Sequence, residues 1–397
     1  MDNPIREKTK VLIGVCAVQA AVGAIHAWPV FATLLRQAGA TPAGTRAVGT
    51  AMNVMWLAGL FVAAYAIKKH NAQRLLMVGG GLAAAGYVLA GVFGARVLMN
   101  LLFVGFFAGA GLGIAFGVSL DRGIRWFSDR PGLLLGAAFA SAGFSGMLFS
   151  RLGGSLQSLG PFSTRLTYFV FGGLILVLHI AGAYLLRSPA EEEDVPPFST
   201  GELWRSADFF RVVVVAVLAL GATGLVMKLL KTYPAEQLIA HGDLRDNQAR
   251  MVAVIAMGFF FSFANGIGRL VWGLLADAWG ARRVFAVLLF AQAVFTVLFL
   301  GMTQNIWLVY LGCAVLGWNY GGMYSLLGTF AATRFGTAHF ARLFAWIFLA
   351  YAVLDTFIEA TLLQSMAAVP APALFTAAAV LTLAAAGLMA TAKPRQA

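Results

Sequence analysis

Long runs of apolar residues alternate with short polar segments along nearly the whole chain. Because an α-helix needs about 20 apolar residues to cross a bilayer, each such run is a candidate transmembrane helix. Twelve runs can be placed, at residues 11–36, 46–67, 75–94, 97–119, 132–156, 165–187, 209–231, 250–276, 283–302, 306–330, 340–363 and 370–391. The first is about twice as long as the apolar region of a signal peptide, so we expect it to be retained. The pattern predicts an all-α integral membrane protein with twelve transmembrane helices.

A polar segment separates the first six runs from the last six. It contains a block of acidic residues followed by a pair of prolines: Glu191, Glu192, Glu193 and Asp194, then Pro196 and Pro197. Prolines and a block of like charges favour a linker over a helix. We predict an N-terminal six-helix bundle at 1–187, a cytoplasmic linker at 188–208 and a C-terminal six-helix bundle at 209–397.

The segments after the second and eighth runs indicate an internal repeat. Ala64–Arg74 reads A-Y-A-I-K-K-H-N-A-Q-R and Gly273–Arg283 reads G-L-L-A-D-A-W-G-A-R-R, at an offset of 209 residues. Repeats of several helices are common in secondary transporters, where they form two halves around a central site. We therefore expect the two bundles to be pseudo-symmetric.

The composition limits the class of protein, and the distribution of positive charge predicts its orientation in the membrane. The chain is 60% hydrophobic and 11% charged, against about 25% charged in soluble domains, which excludes a soluble enzyme or a nucleic-acid reader. With the N-terminus inside, 18 of the 28 Lys and Arg residues fall on inside segments and nine on outside connections. This bias follows the positive-inside rule. We expect a monomeric multi-pass protein of the cell inner (plasma) membrane with both termini cytoplasmic.

The sequence suggests no metal or cofactor site. Cys16 and Cys313 both fall within apolar runs, which supports neither a disulfide framework nor a thiolate metal site. The glycine clusters match close helix packing, and none opens a strand-turn-helix unit that could bind phosphates. We expect no cofactor, no metal and no enzymatic activity.

Three motifs in register carry a family resemblance across nearly the whole chain. They are G-A-I-H-A-W-P-V-F at Gly23–Phe31, W-F-S-D-R-P-G at Trp126–Gly132 and G-W-N-Y-G-G at Gly317–Gly322. They resemble the motifs of the oxalate/formate antiporter and monocarboxylate transporter branch of the major facilitator superfamily. The resemblance implies a twelve-helix secondary transporter of a small organic anion, with a proton or a counter-anion as its coupling partner.

The second copy of the repeat resembles the loop motif of the same superfamily, G-x-x-x-D-x-x-G-R-R. It implies that Gly273 permits close helix approach, that Asp277 lies near a helix N-terminus, and that a turn at Gly280 precedes Arg282 and Arg283. The functional interpretation is a latch that stabilises one access state, and the alternative is an ordinary basic inside loop. In the first copy Lys68 stands at the Asp position and Asn71 at the Gly position, so no latch is expected there.

Arg269 is a cation within a predicted span, about 12 Å from the end of its helix. A guanidinium at that depth requires an anion, and its planar fork matches a carboxylate. Asn265 lies one turn earlier on the same face and could bind the same ligand. The alternative is an ion pair with Asp355 in the eleventh run. Asp355 could also carry a proton or join a structural network, and Glu359 is predicted to lie at the outer rim.

The resemblance also points to further candidate residues of the substrate site. For each of them the alternative is a role in helix packing alone. His26 stands where the family has Tyr, and it could bind the substrate, couple a proton or be a neutral hydrogen-bonded residue. Tyr320 and Tyr351 offer phenolic donors, while Trp28 and Phe116 would supply apolar walls. Tyr351 aligns with a lysine of the oxalate exchanger, and the single buried cation that remains favours a monocarboxylate over a dicarboxylate.

The sequence therefore predicts a secondary active transporter of a lactate, pyruvate or formate type of monocarboxylate. Proton symport and anion exchange both stay open. One alternative is a carrier of a dicarboxylate such as oxalate, or of a cationic or neutral drug-like compound that binds Asp355 and Glu359. Another is a transport-inactive membrane sensor.

Overall fold

The computed structural model describes residues 4–160, 163–186, 204–242, 244–357 and 369–392. These ranges contain helices and no strand. Twelve long helices follow one another as α1 (Ile5–Gln37), α2 (Pro42–Ala66), α3 (Ala72–Phe93), α4 (Val97–Trp126), α5 (Pro131–Gln157), α6 (Ser163–Leu185), α7 (Ala207–Leu229), α8 (Asp246–Trp279), α9 (Ala281–Met302), α10 (Ile306–Phe335), α11 (Phe340–Phe357) and α12 (Ala371–Ala390). A short helix, Tyr233–Ala240, lies between α7 and α8.

Each helix overlaps one of the twelve predicted runs, so the all-α prediction is confirmed. Within the described residues, ten helices are long and apolar enough to cross a membrane alone. The helices α10 and α11 meet the same test together, with a bend of 116° between them. Gly336 forms the bend with a φ of 85°, a backbone conformation that favours glycine. The last six residues predicted for the eleventh run, 358–363, lie outside the described residues.

Polar side chains at the first turns explain where several helices begin. The side-chain oxygen of Thr41 accepts a hydrogen bond from the Gly44 N–H at the start of α2. Asn71 caps α3 and Asn305 caps α10 in the same way. These caps satisfy N–H groups that have no partner within the helix. Asn71 therefore begins the next helix at the position where the loop motif has its glycine.

Three helices depart locally from α geometry. A 3₁₀ segment, Gly23–Ala27, interrupts α1 around His26. Wider π-helical turns occupy Leu101–Ala108 in α4 and Ala256–Phe261 in α8. Single π turns within α-helices are frequent at functional sites because they redirect the side chains that follow. The π segment of α8 ends four residues before Asn265.

The chain forms two compact units. The first comprises Met1–Asp129, Ala137–Val195 and Thr337–Ala345, and the second comprises Arg130–Gly136, Pro196–Gly336 and Trp346–Ala397. Aromatic rings fill the core of the first unit, where Phe31 packs on Tyr168 with ring centroids 4.7 Å apart. The core of the second unit includes Phe299 and Phe375, whose ring centroids are 5.9 Å apart.

Candidate functional site

Arg269 lies on α8 in the second unit, and only 9% of the residue is exposed. Its Nε donates a 3.0 Å hydrogen bond to Oδ1 of Asn265, one turn earlier on the same helix. This bond fixes the plane of the guanidinium. Because Nε faces Asn265, the edge formed by the two terminal nitrogens, Nη1 and Nη2, points in a different direction. That edge carries two N–H donors side by side, in a geometry that matches the two oxygens of a carboxylate.

Two tyrosines of α10 continue the site. The guanidinium carbon of Arg269 lies 5.5 Å from the centroid of the Tyr324 ring, within cation–π range. The hydroxyl oxygens of Tyr324 and Tyr320 are 2.8 Å apart. Tyr320 was predicted as a candidate, whereas Tyr324 was missed. Its spacing of four residues from Tyr320 puts both side chains on one helix face, which is the signal that could have found it.

The helix α11 adds a third wall through two aromatic residues of the second unit. The Phe348 ring lies 6.3 Å from the Tyr324 ring and 6.5 Å from the Tyr351 ring. A side-chain hydrogen bond also joins Tyr351 to Tyr324. The structure thus brings Arg269 together with both predicted tyrosines. The side chain of Asp355, and Glu359 altogether, lie outside the described residues.

Glycines allow α8 and α10 to approach closely enough to form this cluster. A Cβ at Gly321 would lie 2.7 Å from Oδ1 of Asn265 and closer still to its backbone carbonyl. A Cβ at Gly268 would overlap the carbonyl of Trp318, and one at Gly317 that of Phe261. Small residues at such crossings let two helix backbones come together. The G-W-N-Y-G-G motif therefore positions α10 against Asn265.

Asp277 of the loop motif binds the N-terminus of α5. Its Oδ1 accepts from the Gly132 N–H and its Oδ2 from the Leu133 N–H, each at 2.7 Å. A carboxylate at this place satisfies two N–H groups and interacts favourably with the helix dipole. A Cβ on Gly132 would overlap the Gly273 carbonyl. All four residues belong to the second unit.

The rest of the motif completes the turn after α8. Gly280 has a φ of 88°. Arg282 donates from Nη1 to the carbonyl of Ala392. The side chain of Arg283 is exposed.

Several known transporters resemble this chain in sequence, at identities of 24–29%. No family model matches the chain. The oxalate:formate antiporter of Oxalobacter formigenes is 25% identical over 348 residues, which cover 84% of this chain and 79% of that protein. The uncharacterized MFS-type transporter YhjX of Escherichia coli K12 is 24% identical over 89% of this chain and 87% of its own. Human monocarboxylate transporter 11 is 29% identical over 63% of this chain and 48% of its own.

Solved structures give the fold. The crystal structure of FucP, a major facilitator superfamily transporter, in the outward conformation matches with a TM-score of 0.71. The match is 13% identical and covers 96% of this chain and 97% of that one. The chain thus resembles transporters of the major facilitator superfamily in sequence and shares their fold. Its relatives and structural neighbours are transporters, not enzymes.

Three predicted residues of this transporter lie in the first unit. His26 lies in the 3₁₀ segment of α1 with an exposed side chain. The half-buried Trp28 places its indole against Gly49 of α2. Phe116 packs within an aromatic stack, 6.0 Å from the Phe139 ring and 6.4 Å from the Phe344 ring. Within the described residues, no group of three or more His, Cys, Asp or Glu side chains could hold a metal ion.

Asp121 of α4 is a further charged residue, one that was not among the predicted candidates. Only 1% of it is exposed. Its Oδ2 accepts a 3.0 Å hydrogen bond from Nε of Arg125, and its carboxylate also accepts from the backbone N–H of Ala341 at the start of α11. Asp121 thus contacts a helix N-terminus in the first unit, as Asp277 does in the second. Its position four residues before Arg125, at the end of a span, is the signal that could have identified it.

Proposed function

We propose that this transporter carries a small monocarboxylate of the lactate, pyruvate or formate type by alternating access. The observation that supports the proposal is the buried guanidinium of Arg269, held at Nε by Asn265 at 3.0 Å and flanked by the Tyr324 ring at 5.5 Å. Among the described residues whose contacts build this cluster, Arg269 supplies the positive charge. One cation balances one carboxylate, whereas a dicarboxylate would bring a second charge.

The role of each neighbour follows from its contacts. Asn265 sets the orientation of the guanidinium, and the paired hydroxyls of Tyr320 and Tyr324 supply donors for a carboxylate oxygen or an α-hydroxyl or keto group. Tyr351 extends the same hydroxyl network. His26, Trp28 and Phe116 are candidates from the other half of the molecule. Proton symport, with Asp355 or His26 as carrier, and anion exchange are both compatible with this site.

Oxalate is the second candidate substrate. A relative whose name is oxalate:formate antiporter aligns over 84% of this chain and 79% of its own length. An exchanger of oxalate would need compensation for the second carboxylate. Tyr351 offers a neutral hydroxyl at the position where the family resemblance implies a lysine. Uptake measurements with both classes of acid separate the two candidates.

The test is uptake of labelled lactate, pyruvate, formate and oxalate into proteoliposomes, with and without an inward proton gradient. We expect monocarboxylate uptake in the wild type and a loss of at least about 100-fold in Arg269→Gln, because the lost ion pair is buried. The control is Arg250→Gln on the same helix, where the side chain is 70% exposed. Normal uptake by Arg269→Gln, or transport of none of the four acids, would contradict the proposal. Uptake that requires internal substrate indicates exchange.

We further propose a monomer in the plasma membrane, with cytoplasmic termini and two bundles at 1–187 and 209–397 joined by the linker at 188–208. The 18-to-nine distribution of Lys and Arg supports this orientation. A fluorescent protein fused to the C-terminus tests it, since such fusions fluoresce only when they fold inside the cell. A full-length fusion that does not fluoresce would place the C-terminus outside the cell and contradict the proposed orientation.

A further inference from the structure

A small cleft opens in the first unit where α2 and α4 end and α11 begins. Five polar side chains line it together with four apolar residues: Lys68, Asp121, Arg125, His339 and Arg342, with Ala64, Ile67, Ala338 and Ala341. Lys68 is the residue that replaces the expected Asp in the first copy of the repeated loop. The substitution thus puts a cation at the edge of the cleft.

Positive charge dominates this cleft. Three cations and one carboxylate line it, and the carboxylate of Asp121 already accepts from Arg125 and from the Ala341 N–H. Burial, followed by the charges of Arg342 and Arg125, lowers the pKa of the Lys68 ammonium, and Asp121 only partly opposes this. The cations therefore repel one another at this place. An anion among them would remove that repulsion.

The position of the cleft favours a ligand at the membrane surface. The Arg342 guanidinium lies 5.0 Å over the ring of Tyr65, and that tyrosine is 43% exposed at the end of α2. Tyrosine and arginine side chains of this kind are typical of the headgroup level of a bilayer. The cleft itself has room for about one water molecule. A ligand would therefore occupy the open mouth, where the side chains of Lys68 and Arg342 meet it.

We propose that this cleft binds a phosphate group through Lys68, Arg125 and Arg342. The group belongs either to the headgroup of an anionic phospholipid or to a soluble phosphate. Arginine binds phosphate oxygens in pairs, and lysine adds a compact charge. Such binding would link the membrane to the start of α11, where Asp121 already accepts a hydrogen bond from the Ala341 N–H. This site does not depend on the identity of the transported acid.

The experiment measures the melting temperature of the full-length protein in detergent. Phosphatidylglycerol, phosphatidylcholine and inorganic phosphate are added in separate samples. We expect phosphatidylglycerol to raise the melting temperature of the wild type by roughly 2–4 °C and phosphatidylcholine to leave it unchanged. The double variant Lys68→Gln/Arg342→Gln should lose this rise. The matched control is Lys69→Gln/Arg74→Gln, which removes the same charge from two exposed residues that do not line the cleft, one beside Lys68 and one in the first turn of α3.

The outcomes separate the sources of phosphate and can overturn the site. A rise with inorganic phosphate equal to that with phosphatidylglycerol, lost in the double variant, identifies a soluble phosphate as sufficient. A rise that survives in the double variant, or one that the control variant also loses, would overturn the proposal. Native mass spectrometry of the single variant Lys68→Gln, an exposed position, gives a readout independent of stability. If inorganic phosphate does not stabilise the protein, the ligand must be the lipid. Lys68→Gln should then bind less phosphatidylglycerol than the wild type, and equal binding would refute the site.

Discussion

The backbone N–H of Gly132 donates a 2.7 Å hydrogen bond to Oδ1 of Asp277. The second oxygen of the same carboxylate accepts from the next N–H, that of Leu133. One side chain of α8 thus caps the first turn of α5 although 145 residues separate Asp277 from Gly132. A capping carboxylate contributes through charge as well as through hydrogen bonding.

Asp277→Asn should lower the free energy of unfolding by about 1–2 kcal/mol, because the amide removes the charge and turns one acceptor into a donor. Thermal melting of the purified protein measures this change. The control is Asp246→Asn on the same helix, an exposed partner of Arg250 whose substitution should leave stability nearly unchanged. If the residue also serves as a latch, the turnover rate should change while KM stays constant. Equal melting of both variants would contradict the capping role.

The hydrogen bond from Arg269 to Asn265 gives a second prediction. Asn265→Asp should raise the KM for a monocarboxylate at least about tenfold, because a carboxylate beside the guanidinium competes with the substrate for its charge. Asn265→Ala removes the same amide without adding charge and should have a smaller effect. Initial rates of uptake into proteoliposomes give both KM values. An aspartate variant that binds as well as the alanine variant would show that charge at Arg269 does not decide binding.

The cation–π contact of Arg269 with Tyr324 predicts different effects for two substitutions. Tyr324→Phe keeps the ring and removes only the hydroxyl that faces Tyr320. Tyr324→Leu removes the ring as well, and with it an interaction of about 0.5–2 kcal/mol. We therefore expect uptake affinity to fall more in the leucine variant, by roughly twofold to 30-fold relative to phenylalanine. Equal affinities in the two variants would exclude a role for the ring.

Helix number and order could be predicted from the sequence because lipid imposes a length of about 20 apolar residues on every span. The sequence also identified Arg269 and Asn265 on α8, and by family resemblance Tyr320 on α10, as candidates for the site. Tyr324 was not identified because an apolar helix tolerates tyrosine at many positions, and its spacing from Tyr320 shows a shared face without showing that this face meets Arg269. Asp121 escaped for a related reason. Its contact with the Ala341 N–H joins segments 220 residues apart, and no local spacing encodes such a pair.

Close packing of α8 and α10 gives a last prediction, at Gly321. An added Cβ would overlap the backbone carbonyl of Asn265 and come within 2.7 Å of its Oδ1. Because backbone cannot move away as a flexible side chain can, Gly321→Ala should cost about 1–3 kcal/mol of stability. It should also displace Asn265 and weaken uptake. Gly301→Ala on α9 is the control, since a Cβ there has no neighbour within 4 Å. Melting temperatures and uptake rates that are the same for both variants would mean that α10 can shift without loss, and that the close approach at Asn265 is not needed for transport.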